Sequence, residues 1–270
     1  MLRIRPPALG AVLAFAALSA APASAQEIPP DPLKSGMWEL VAEENFPGEI
    51  VFDPRVKLSL PAAAEDQFHV PVTIDARALA AEIGPIEEMV VAADLNPIIH
   101  AVTFRPGEKA EPFLGLRIKV EQTTPVRVGV RGADGIWRVA AAVIDAAGGG
   151  CSAPAAAHGQ KDWMSTLGEA RALASRSDAG ETRLSFRMRH PMDTGFAAGV
   201  PIFHLGELSL TLESGEELAG LEISAPISED PTFNLLTRPS VGGAAVSVAA
   251  RDSEGNRFAF SIPLPGEAVN

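Results

Sequence analysis

From Arg55 onward the chain alternates short runs of β-branched residues with turn residues. A two-residue period punctuated in this way predicts an all-β sandwich fold with little helix. Val56 to Leu60, His69 to Ile74, Ile98 to Phe104, Leu116 to Glu121 and Val126 to Val130 each have strand length and mostly alternating polarity. Ala133-Asp134-Gly135 then turns the chain into Ile136 to Ile144, a predicted hairpin.

The pattern stops at Ala146-Ala147-Gly148-Gly149-Gly150-Cys151-Ser152-Ala153-Pro154. No strand can use this segment, because three successive glycines are costly to order and Pro154 cannot donate to a ladder. Thr166-Leu167-Gly168-Glu169 has the form of a capping box, and Leu167, Ala170 and Leu173 share one side of a short helix behind it. Residues 152–180 therefore read as a linker carrying that helix. Alternation resumes at Arg183-Leu184-Ser185-Phe186-Arg187-Met188-Arg189. It continues through Leu205 to Leu212, Glu217 to Ile223, Ala244 to Ala249 and Arg257 to Ile262. The predicted layout is a leader over residues 1–25, a first sandwich over 26–147, a cysteine-bearing arm and linker over 148–180, and a second sandwich over 181–270.

The leader is read from Arg3 and Arg5, the apolar run Ala8 to Ala21, and Ala23-Ser24-Ala25 before Gln26, the signature of a secretory signal peptide. Its apolar run is short for a bilayer, and no later stretch approaches the roughly 20 apolar residues of a membrane helix. A soluble exported protein, periplasmic and without a membrane partner, is the expectation. The formal charge of −12, about −14 without Arg3 and Arg5, lacks the basic footprint of a nucleic-acid binder.

Cys151 is the sole cysteine, so in an oxidising compartment it is inert and buried, paired between molecules, or a working thiol. A thiol that has to enter other proteins' sites needs little bulk around it and an extendable backbone, which Gly148, Gly149 and Gly150 would supply. Six extended residues would reach on the order of 20 Å. A thiolate attacks, holds cargo and releases it by exchange. His158 and Lys161 are candidates for lowering the thiol pKa, with solvated linker residues as the plain alternative. A hydrolase would also need a general base and an orienting carboxylate, for which no motif is present.

His190 reads as a structural hydrogen bonder at the interface of the two sandwiches, and Ser228-Glu229-Asp230-Pro231 as a turn without chemistry. His69, His100, His158, His190 and His204 are scattered singly, so neither a metal nor another cofactor is expected. Trp38, Trp137 and Trp163 read as packing residues, with Trp163 placed to cover Cys151.

Both halves resemble the SoxYZ family. From about Leu40 to Cys151 the chain is similar to SoxY through Lys57 to Pro61, Ala64-Glu65-Asp66, Val70 to Ile74, Asn96-Pro97, Leu116-Arg117-Ile118-Lys119-Val120 and the closing Gly-Gly-Cys. The second half resembles SoxZ through Arg187 to Gly195 (RMRHPMDTG), Ile202-Phe203 and Ile227 to Phe233 (ISEDPTF). The resemblance implies paired immunoglobulin-like sandwiches and a cysteine that carries sulfur intermediates, here on fused chains like the carriers found with quinoprotein dehydrogenases. Family arms end the chain as Gly-Gly-Cys-Gly-Gly, whereas Cys151 is followed by Ser152-Ala153-Pro154 and tethered on both sides.

Three functions stand in order: a covalent carrier without turnover of its own, serving periplasmic redox or sulfur-metabolising enzymes of thiosulfate-type sulfur oxidation; a non-covalent docking protein of a quinoprotein dehydrogenase; and a cysteine enzyme. Fusion implies a monomer, since a linker replaces subunit association by intramolecular docking.

Overall fold

The computed structural model describes residues 28–239 and 241–265, so the expected leader lies outside the described residues. The first half runs α1 (Trp38–Asn45), β1 (Ile50–Phe52), β2 (Lys57–Ser59), β3 (Val70–Asp75), α2 (Arg77–Ile83), β4 (Ile86–Ala93), β5 (His100–Pro106), β6 (Ala110–Ile118), β7 (Thr124–Gly132) and β8 (Trp137–Ile144). The second runs β9 (Ala170–Arg176), β10 (Thr182–Met188), β11 (Leu205–Leu212), β12 (Glu217–Ile223), β13 (Thr232–Thr237), β14 (Ala245–Asp252) and β15 (Arg257–Pro263). The protein is mostly β, as the alternation predicts.

The strands form two sheets, and each sheet crosses from one half of the chain to the other. A nine-stranded sheet has the order β1-β8-β7-β4-β5-β12-β11-β14-β15, and a six-stranded sheet β2-β3-β6-β13-β10-β9. The seams are two antiparallel pairings. Val102 lies opposite Ile223 and Phe104 opposite Leu221 on β5 and β12, while Leu114 lies opposite Leu235 on β6 and β13. One apolar core runs through both halves, from Val72, Leu114 and Val128 to Leu184, Leu210 and Val248.

Local sequence sets which faces are buried. On β10 Thr182, Leu184, Phe186 and Met188 point inward, and Arg183 and Arg187 outward. β4 is buried on both faces over most of its length, because α1 lies across its outer side. There Trp38, Val41, Ala42 and Phe46 pack on Val90, Ala92, Trp137 and Val139. Gly129 on β7 lets Phe46 lie flat, since a Cβ would stand 2.4 Å from its ring. Arg127, fully buried, ties the segment before α1 to the sheet by bidentate bonds to Asp31 and Asp94 at 2.8–3.1 Å, with its guanidinium 4.4 Å from the Trp38 ring.

Two expectations are corrected. The helix behind Thr166 does not form: Ala170–Arg176 is the edge strand β9, paired antiparallel with β10 from Ala170–Met188 to Arg176–Thr182. Gly168 turns the chain at φ +82°, and the Phe258 ring fills the space a side chain there would need. The second set of strands thus begins at Ala170 rather than 181, and the helical content of the linker is two 3₁₀ turns, Ala156–Gly159 and Trp163–Thr166. No helix among the described residues is long and apolar enough to cross a membrane.

Candidate functional site

Beyond β6 the backbone runs on through Lys119, Val120 and Glu121, fixed on both sides. Lys119 N–H donates to the Pro226 carbonyl at 2.6 Å, and Val120 N–H to that of Gln67 at 2.9 Å. Asn96 takes the Glu121 N–H on its amide oxygen and donates to the Lys119 carbonyl. This stretch is the bed on which Cys151 lies.

Gly149 N–H donates to the Glu121 carbonyl at 2.9 Å and Gly150 N–H to that of Val120 at 3.2 Å. A Cβ on Gly150 would stand 2.4 Å from the Val120 oxygen and 2.5 Å from that of Gln67, so only glycine permits this approach. The Glu121 carboxylate then accepts three hydrogen bonds from two consecutive residues. Oε2 receives Cys151 N–H at 2.9 Å and Ser152 N–H at 3.0 Å, and Oε1 receives Ser152 Oγ at 2.8 Å. From the other half of the chain, the Thr194 hydroxyl donates to the Cys151 carbonyl.

Farther along, Ala156 and Ala157 N–H bond to the Glu229 carboxylate at 2.7 and 2.8 Å, and His158 Nε2 lies 2.8 Å from Asp193 Oδ2. Trp163 packs edge-on against His158 and 6.4 Å from Phe203.

The expected free arm is therefore corrected. Gly148, Gly149 and Gly150 shape a docked turn, and Cys151 is 1% exposed. Burial pushes its thiol up to about 12; Lys119 pulls it down and Glu121 adds to the rise. In this position the sulfur is a protonated, covered thiol, and a thiol of that kind is inert.

The expected tuning by His158 and Lys161 is corrected as well. His158 faces Asp193, Lys161 is exposed, and the charges that act on the sulfur are Lys119 and Glu121. No hydrogen bond joins an imidazole to the Cys151 sulfur among the described residues.

Lys119 is a second unusual group. Its ammonium is buried, donates to the Met192 carbonyl and, at 3.5 Å, to that of Ala225, and has no carboxylate within ion-pair distance among the described residues. Burial pushes it down to about 8, while Cys151, Asp193 and Glu229 pull it up.

Sequence reasoning missed Lys119, Glu121, Asp193, Thr194 and Glu229. The signal was nevertheless in view: LRIKV, RMRHPMDTG and ISEDPTF, far apart in the chain, supply Lys119, then Asp193 and Thr194, then Glu229, and all meet at the arm. His190 is buried, with Met192 N–H donating to its Nδ1 at 3.2 Å.

The family profile described as Sulfur oxidation protein SoxY matches residues 43–151, and that described as Sulphur oxidation protein SoxZ matches residues 171–262. Among solved structures, the chain is similar to the sulfur carrier protein SoxY from Chlorobium limicola f thiosulfatophilum. The match has 19% identity and a TM-score of 0.34, and covers 40% of this chain and 93% of that one. It is also similar to Escherichia coli alpha-2-macroglobulin at 13% identity and a TM-score of 0.27, covering 77% of this chain and 22% of that one. No curated protein matches the sequence.

Proposed function

Because the chain belongs to the SoxYZ family, with a SoxY and a SoxZ domain in tandem, we propose that it is a periplasmic carrier that holds a covalent, sulfur-linked intermediate on Cys151 and presents it to partner enzymes. The domains are those of sulfur-oxidation carrier proteins rather than enzymes. The observation that carries the reading is the position of the sole cysteine. Cys151 is the last residue of the SoxY match and lies in a stretch, Ala146 to Ala157, with no charged side chain.

Cargo would be loaded when the Cys151 thiolate attacks a sulfur of the donor, forming an S–S bond as the donor's leaving group departs with the bonding pair. Unloading is the same exchange in reverse, and neither direction requires an external oxidant. Since the docked thiol is covered, the reaction takes place with the arm lifted from its bed. The partners would be periplasmic sulfur-metabolising or redox enzymes, and export rests on the basic start and apolar run of the leader.

A second reading, a non-covalent docking protein of a quinoprotein dehydrogenase, is favoured by one feature: Cys151 is buried and anchored on both sides. Intact-mass spectrometry of the protein taken from its native compartment without reductant, beside Cys151→Ser, separates the two. A reductant-sensitive mass addition on Cys151, missing from Cys151→Ser, is expected and would identify the cargo. An unmodified thiol under all growth conditions would transfer the assignment to docking.

A further inference from the structure

We propose that Glu121 is a positioning residue that sets when Cys151 can react: its carboxylate is the clasp of the arm, and parting from it is the step that frees the thiol. The inference deepens the carrier reading, on which its purpose rests, but its geometry stands apart from the cargo.

The arm has little else to hold it at the cysteine. Between Ala146 and Ala157 its side chains are methyls, hydrogens, one hydroxyl, one pyrrolidine ring and the thiol, and only Gly150, Cys151 and Ala157 are buried. Docking of such a segment depends on polar contacts rather than on removal of apolar surface. Apart from the Gly149 and Gly150 N–H bonds to the Glu121 and Val120 carbonyls, the contact at the cysteine with the most bonds is the Glu121 carboxylate, which takes three from Cys151 and Ser152. Bonds to an ionised acceptor are the strong class. Glu229 and Asp193 act farther along, on Ala156, Ala157 and His158, and Thr194 contributes one bond to the Cys151 carbonyl.

Glu121 is itself fixed without the arm, because its N–H donates to the Asn96 amide oxygen and the residues before it, Lys119 and Val120, donate to the Pro226 and Gln67 carbonyls. The clasp therefore belongs to the body, and the arm is the part that moves. The same negative charge opposes thiolate formation while the arm is down. One side chain thus couples position to reactivity: docked, the sulfur is covered and protonated, and released, it leaves the carboxylate behind.

Alkylation of the folded protein by iodoacetamide, in which the thiolate displaces iodide, reads the fraction of time the arm is open. The variants are Glu121→Ala, Glu121→Gln and Ser152→Ala, each with its Tm and with the rate measured from pH 7 to 9.5. Glu121→Ala is expected to react at least tenfold faster than the unchanged protein. Glu121→Gln should fall between, since an amide oxygen still accepts the two N–H groups without the charge, and Ser152→Ala should gain a few-fold.

That graded order, with Tm nearly constant and the ordinary thiol pH dependence near 8.5 in every variant, is the result a merely structural residue would not give. Glu121→Ala alkylated at the unchanged rate while folded would overturn the clasp. Should Glu121→Ala fail to fold, Glu121→Gln and Ser152→Ala decide by the same rates. A freely reactive Cys151 in these variants that never carries cargo in the native compartment would sink the carrier reading and leave the clasp standing.

Discussion

At the scale of single residues, burial shifts the charge state of Cys151, Lys119 and His190, and the shift of His190 falls in an accessible pH range. It is 2% exposed, packs 4.5 Å from the Phe203 ring, and holds Nε2 3.7 Å from the Asp252 carboxylate without a hydrogen bond. Burial pushes its pKa down to about 4. Asp252 pulls the other way, and His204 and Lys119 add to the fall. A base whose folded pKa lies below its free value of 6.5 binds fewer protons folded than unfolded between those two values. Stability contributed by neutral His190 is therefore full above about pH 6.5 and lost as pH falls toward 4. Tm should decline between pH 6.5 and 5, above the range where most carboxylates titrate. His190→Asn, whose amide oxygen can still accept the Met192 N–H, should flatten that decline even if its Tm is lower throughout. Parallel slopes for the two proteins would show that another group is responsible.

At the scale of elements, the arm is decided by one close approach. Gly150→Ala would set a Cβ against two backbone oxygens, which cannot rotate away as a side chain can. Overpacking of this kind costs about 1–3 kcal/mol and falls on the docked position alone, so the segment should lift more often and Cys151 alkylation should rise about tenfold. Gly149→Ala is the comparison. Its φ is +87° but no atom stands within 4 Å of the added carbon, so it carries only the left-handed penalty of about 1–2 kcal/mol. Alkylation of Gly150→Ala at the rate of the unchanged protein would show that the close approach to Val120 and Gln67 does not hold the arm.

The strands themselves were unevenly legible. β10, β11 and β14 each bury one face and show it as alternation. β4 loses its alternation because α1 covers its other side, and β13 is a short central strand whose partners β6 and β10 come from both halves. β9 was read as helix because Leu167, Ala170 and Leu173 fit a helical face, although Ala170, Ala172 and Ala174 fit a strand equally well. Pairing with β10 decides between them, and no local pattern contains that fact. The glycine run was likewise visible as a break, but its docking on Glu121 and Thr194 depends on chain segments far away in sequence.

At the scale of the whole molecule, the SoxY and SoxZ domains named in the sequence are joined edge to edge rather than only linked. Both sheets pass through the seam, and the core residues on either side belong to one cluster. Separating the halves would leave β12 with an unpaired edge beside Leu221 and Ile223, and would strip β13 of β6. Exposed sheet edges of that kind invite association with other chains. Burial at the seam is also part of what each half has to stabilise itself. The fused chain should therefore unfold in one cooperative step, a behaviour usual for small domains and not assured at this length. Urea unfolding followed by tryptophan fluorescence and by far-ultraviolet circular dichroism distinguishes the cases. With Trp163, which packs near Phe203, replaced by phenylalanine, the remaining Trp38 and Trp137 lie in the α1 cluster and report the first half, whereas the dichroism reports strands of both. Coincident midpoints are expected, and residues 168–265 expressed alone should associate or remain unfolded. Two separated transitions, with the second half folded and monomeric on its own, would mean that the shared sheets add little and that the linker alone keeps the halves together.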